Sequence, residues 1–229
     1  MIEIVIAIST GVAAFVATNL DDILILTILF SQTGKLFRRR DIVIGQYIGF
    51  ILLVIASLAG FFGCFLIPTP WIRYLGLVPV ILGIFSLLQE EEEEEPENVE
   101  VDLEGAKNSP FGSWFDSRTY SVAALTVANG SDNIGIYIPL FASSTVISLI
   151  VIVSVFLILV GVWCAIAYGL TSVPTIATIL TSQGSTFVPC VLIGLGIFIV
   201  KESIPLTFLA LAISYLWAIA GRGQELAKK

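Results

Sequence analysis

Apolar runs of membrane-crossing length, parted by short polar connections, set the plan of this chain. Ile2 to Phe30 is the first run and exceeds the roughly 20 residues that cross a bilayer. No small-residue cleavage site follows a basic start, so it reads as a retained span rather than a signal peptide. Further spans are predicted over Ile42 to Leu66, Trp71 to Leu88, Tyr120 to Phe141, Val146 to Leu170 and Phe187 to Val200. Ile204 to Ala220 is apolar again, which leaves the number of spans at six or seven. The basic cluster Lys35, Arg38, Arg39 and Arg40 marks the first connection as cytoplasmic, and the amino terminus is then expected to face outward.

Two polar interruptions stand out against this background. Ala17-Thr18-Asn19-Leu20-Asp21-Asp22 breaks the first run, and Val127-Ala128-Asn129-Gly130-Ser131-Asp132-Asn133 echoes it 110 residues later, near the middle of the fourth. Each carries Asn and Asp at i and i+3, a spacing that shares one face if the segment is helical. The length of the first run, with its polar break, suggests a discontinuous or tilted helix whose freed backbone groups line a cavity. A carboxylate at bilayer depth costs several kcal/mol, so such acids normally face the protein interior and are candidates for function.

Composition agrees with the pattern, since 57% of residues are hydrophobic and 13% charged. The net charge of −7 does not imply a basic partner, because 11 of 18 acidic residues lie between Glu90 and Asp116. The run Glu90 to Glu95 opens a stretch that repels itself and is read as a disordered cytoplasmic linker, and no nucleic-acid partner is expected. Cys64, Cys164 and Cys190 stand singly in apolar segments, as core residues do, and the chain has no histidine. Gly45 and Gly49 form a Gly-x-x-x-Gly pair for close helix approach, with Gln46 and Tyr47 adding polar atoms beside it.

The second half echoes the first. Besides the two Asn-x-x-Asp motifs, Pro79 to Phe85 resembles Pro189 to Phe198 at nearly the same offset. The fold expected is an all-α polytopic membrane protein built from two inverted three-helix repeats, residues 1–89 and 119–202. An acidic linker, 90–118, joins them, and an apolar segment and tail, 203–229, follow. Three spans per repeat is an odd number, so the second repeat enters the membrane in the opposite sense. Transporters use that plan to place a substrate site at the repeat interface.

Ile44-Gly45-Gln46-Tyr47-Ile48-Gly49, Gly130-Ser131-Asp132-Asn133-Ile134-Gly135 with Pro139, and Gly194 to Phe198 with Glu202 carry a family resemblance. Together they resemble the cadmium-resistance transporter family of the lysine-exporter superfamily. The resemblance implies a small exporter of divalent cations, with Asp21 or Asp22 and Asp132 at the positions of the family's intramembrane acids. In one respect the sequence departs, for some cadmium-exporting members carry a cysteine where Asn129 stands.

Read from the residues alone, Asp22 and Asp132, with Asp21 as a third acid, supply anionic oxygens. Asn19, Asn129 and Asn133 supply neutral carbonyl oxygens. Such donors suit a divalent cation, and oxygen ligands favour magnesium, calcium and manganese over thiophilic ions while still binding zinc and cadmium. When the cation leaves, two anions remain together in low dielectric, so a proton can take its place and cation/proton exchange follows. The expected partners are the lipid bilayer, divalent cations and protons, with a homo-oligomer left open, in the plasma membrane. The metal is cargo rather than cofactor, and no catalytic residue is expected. Two other classes stay open. An exporter of amino acids or other small cations would share the architecture, although no Lys or Arg lies within spans one and four. An intramembrane aspartyl protease would want Gly-x-Gly-Asp, which Gly130-Ser131-Asp132 matches only in part. The chain has no Gly-x-x-x-x-Gly-Lys phosphate loop for direct use of ATP.

Overall fold

The computed structural model describes residues 2–34, 36–63, 74–88, 116–172 and 188–200. Among them are eight helices and no strand. They are α1 Ile2–Thr18, α2 Asp22–Ser31, α3 Arg39–Gly63, α4 Leu77–Leu88, α5 Ser117–Asn129, α6 Ile134–Ala142, α7 Val146–Leu170 and α8 Val188–Val200. Most of the acidic linker, the Ser/Thr-rich connection before α8, Glu202, the apolar stretch from Ile204 and the tail fall outside the described residues.

Hydropathy located these elements because each apolar run must satisfy its backbone internally once it leaves water, and a helix does so within one segment. Among the described residues two helices, α3 and α7, each of 25 residues, are long and apolar enough to cross a membrane. With α1 and α2 taken as one bent span, there are three. The bend between α1 and α2 is 64° and falls at the first polar motif. The second motif also interrupts its helix, for α5 ends at Asn129 and α6 begins at Ile134. The Asn and Asp of each motif therefore sit at a helix break rather than on a continuous helical face. Gly130, at the C-cap of α5, lies so near Leu53 that a Cβ would come within 2.5 Å of its Cδ1. α3 thus passes hard against this second break.

Between α2 and α3 the chain turns tightly. Gly34 has φ +89°, which only glycine adopts without strain, and its N–H donates to the Phe37 carbonyl. Asp41 accepts from the Arg38 N–H at 3.2 Å and so satisfies a donor at the start of α3. The Arg39 guanidinium lies 4.3 Å from the ring centre of Tyr168, which ties this basic connection to the carboxyl end of α7.

Packing exchanges partners between the two halves. α1 runs parallel to α7: Glu3 meets Thr145 and Ser148, Gly11 meets Ile152 and Val155, and Phe15 meets Phe156 and Trp163. α3 runs parallel to α5, where Gly45 faces Thr119 and Val122 while Gly49 faces Ala123 and Thr126. A Cβ on Gly45 would stand 2.7 Å from the Thr119 carbonyl oxygen, and one on Gly49 the same distance from that of Ala123. The predicted Gly-x-x-x-Gly pair thus lets two backbones meet. α4 and α8 run antiparallel, with Gly83 against Pro189 and Leu192, and Gly196 against Val80.

Where these pairs converge lies an aromatic core of Phe15, Phe50, Tyr137, Phe141 and Phe156, each at most 1% exposed. The Phe15 ring centre is 5.5 Å from Phe50 and 5.8 Å from Phe156, and Tyr137 is 4.9 Å from Phe156. Such tilted and edge-on pairs add to the area they bury. Cys164 is buried beside this core, as its apolar setting predicts, whereas Cys190 on α8 is exposed against that expectation and Cys64 lies outside the described residues.

Candidate metal-transport site

The break between α1 and α2 presents Asn19, Asp21 and Asp22, and the structure sends them two ways. Asp21 and Asp22 turn to the second break. The Asn129 side-chain nitrogen donates to Asp22 Oδ1 at 2.7 Å and to Asp21 Oδ2 at 3.1 Å. Gln46 on α3 donates from Nε2 to the other oxygen, Asp22 Oδ2, at 3.0 Å. Gln46 is itself held by Thr126, whose hydroxyl is 2.6 Å from Gln46 Oε1. Asp22 is buried at 5% exposure while Asp21 is exposed, so the two neighbouring carboxylates differ in access.

Asn19 turns instead to the first helix of the break and to α6. Its side-chain nitrogen lies within hydrogen-bonding distance of the Phe15 carbonyl, Thr18 Oγ1 and the Tyr137 hydroxyl, at 2.9, 2.7 and 2.9 Å. Thr18 Oγ1 and the Tyr137 hydroxyl are 2.8 Å apart, and Trp163 Nε1 donates to the Asn19 carbonyl at 2.7 Å. That carbonyl, freed from the helix ladder by the break, is thereby satisfied. The two breaks are reciprocal: Asn129 of the second reaches the acids of the first, and Asn19 of the first reaches Tyr137 just beyond the second.

Asp132 is exposed, and its charge acts on both Asp21 and Asp22. Asn133 is buried at 3% exposure, next to Gly130 at the start of α6. Of the six residues singled out by sequence, then, Asp21, Asp22 and Asn129 join in one hydrogen-bonded group, with Asp132 in electrostatic range. Asn19 belongs to a second group, and Asn133 packs at the break. Among the described residues no three acid or thiol side chains are grouped to hold a metal ion. The acids approach one another with amides between them rather than as a closed ligand cage.

Three partners of this site carried no strong sequence signal. Thr126 and Tyr137 look like ordinary members of an apolar span, and Gln46 reads as a polar atom near a helix end. What they share is burial of a polar group, which requires a hydrogen-bond partner. The site lies about 10 Å along α3 from its basic end, from seven residues at the usual helical rise.

No curated protein and no solved structure matched the chain. A family profile described as cadmium resistance transporter matches residues 15–212, which takes in both breaks and every residue of the site. The match covers well over half of the chain, and a helical, membrane-crossing architecture accompanies it. This chain belongs to the cadmium resistance transporter family.

Proposed function

We propose that this protein exports divalent metal cations, of the class that includes cadmium, zinc and manganese, from the cytoplasm across the plasma membrane in exchange for protons. The observation that carries the reading is the meeting of Asp22, buried at a helix break, with Asn129 from the other break. A charge kept at that depth is expensive and belongs with a substrate path rather than with packing alone. Asp21 and Asp132 bring further negative charge to the same place, and Asn129 can turn its carbonyl oxygen inward to replace its N–H donors when a cation enters. With carboxylates and amides but no thiolate, the group suits hard and borderline ions.

On release, the clustered carboxylates favour a proton in place of the ion. Two inverted repeats supply the machinery. In such an arrangement the first helix of each half is parallel to the second helix of the other, and the third helices are antiparallel, as in the packing described above. The basic connection between α2 and α3 and the acidic linker then face the cytoplasm, following the positive-inside rule.

Proteoliposomes containing the purified chain test this directly. Metal should leave faster when the receiving side is made acidic, and Asp22→Asn and Asp132→Asn should abolish the response. Transport that persists unchanged in both variants, or that ignores the gradient, overturns the exchange.

A further inference from the structure

We propose that Gln46, aimed by Thr126, is a positioning residue that sets ion selectivity by withholding one oxygen of Asp22 from the transported cation. The inference rests on the export reading above and specifies how that site rejects calcium, the divalent cation that an all-oxygen site would otherwise attract.

The geometry is a relay across three helices. Thr126 on α5, 5% exposed, has its hydroxyl 2.9 Å from the Val122 carbonyl and 2.6 Å from Gln46 Oε1. Gln46 on α3, also 5% exposed, extends Nε2 to Asp22 Oδ2 at 3.0 Å. Because Asp22 Oδ2 accepts from Nε2, rotating the amide would set two oxygens against each other there and give up the short contact between Oε1 and the Thr126 hydroxyl. Nor can Thr126 retreat easily. It stands at one of the two glycine contacts between α3 and α5, and a Cβ on Gly49 would lie 2.6 Å from the Thr126 Cβ. The amide is therefore gripped from behind, and Asp22 Oδ2 stays committed to it.

A cation arriving from the exposed side, by Asp21 and Asp132, meets Asp22 through Oδ1 alone. Calcium takes six to eight oxygens and often binds a carboxylate through both of them, whereas zinc is content with about four ligands. Restricting Asp22 to one oxygen lowers the number of ligands available and weighs against calcium more than against zinc. Gln46 never touches the ion in this scheme, but fixes which Asp22 oxygen does.

The test is zinc flux into proteoliposomes containing the full chain, titrated with calcium as competitor. In Gln46→Leu, the calcium concentration that halves zinc flux, divided by the zinc concentration that half-saturates it, should fall by about tenfold, the lower end of what second-layer partners of metal ligands contribute. Thr126→Val should lower the same ratio by a smaller factor, and Thr126→Ser, which keeps the hydroxyl, should restore it. A general packing defect would change flux or protein yield without moving the ratio. If Gln46→Leu does not reach the membrane, the Thr126 pair alone decides the matter. Variants that transport zinc with an unchanged ratio overturn the role of Gln46 and leave the export reading standing. An unaltered chain that moves neither zinc, cadmium nor manganese overturns both.

Discussion

Asn129 Nδ2 and Asp22 Oδ1 lie 2.7 Å apart although 107 residues of sequence separate them, so one hydrogen bond joins the break in α1–α2 to the break in α5–α6. At the first break Trp163 of the other half takes up the Asn19 carbonyl that an unbroken helix would satisfy, and at the second the Asn129 side chain is held by Asp21 and Asp22. The chemistry of the site and the integrity of the fold therefore meet in the same few residues.

Asp22 is the acid most dependent on its partners, with a donor on each oxygen. Asp22→Asn retains the shape and removes the charge, so cells carrying it should lose metal tolerance while the protein still reaches the membrane. Growth across graded cadmium, zinc and manganese, with protein quantified in membrane fractions, checks both halves of this expectation. Affinity should fall by more than about a hundredfold, because even altering the partners of a metal ligand costs up to that much and this change removes the ligand's charge.

Replacing Asn129 by cysteine changes the character of the donor set. A thiolate favours soft ions over manganese or calcium. The Asn129→Cys protein should show a raised ratio of cadmium to manganese transport, measured by competition in vesicles. An unchanged ratio would mean that the side chain at this position does not face the ion.

Gly45 and Gly49 set the separation of α3 and α5. A valine at either site meets backbone, not a movable side-chain end, because the Thr119 and Ala123 carbonyl oxygens lie 2.7 Å from the new Cβ. Overpacking of this kind costs about 1–3 kcal/mol. Thermal unfolding in detergent should show both variants less stable than a Gly63→Ala control, since nothing among the described residues lies within 4 Å of a Cβ there.

Tyr137→Phe removes a hydroxyl shared by Thr18 and Asn19 while keeping the ring in the aromatic core. Loss of the hydrogen bonds should cost about 1 kcal/mol. Because the acids belong to the other group, zinc affinity should change little in this variant, whereas its melting temperature should drop. A large fall in affinity instead would place Asn19 and Tyr137 in direct contact with the cation.

Much of this fold was legible in the sequence, because bilayer-depth segments must be apolar and their ends must not be. The runs Ile42 to Leu66 and Val146 to Leu170 correspond closely to α3 and α7, and the polar motif at Asn19 announced a broken helix. The break after Asn129 was less legible. Its motif was visible, but the i and i+3 spacing of Asn129 and Asp132 suits a continuous helix equally well. The partners of the acids were the least legible part. Whether Gln46 points at lipid or at Asp22 depends on how α3 is rotated against α5, and that is fixed by Gly45 and Gly49 meeting Thr119 to Thr126. Local pattern does not encode such a pairing across 80 residues.

The exchange of neighbours between halves determines what can move as a body. α1 and α2 are clasped by α7, and α3 is clasped by α5 and α6, so neither the amino-terminal nor the carboxy-terminal half has its main contacts within itself. Cutting the chain in the acidic linker would leave two fragments that are each only part of a core. Supplied together, they would have to interlock like clasped hands, each mixed bundle forming only when both halves are present.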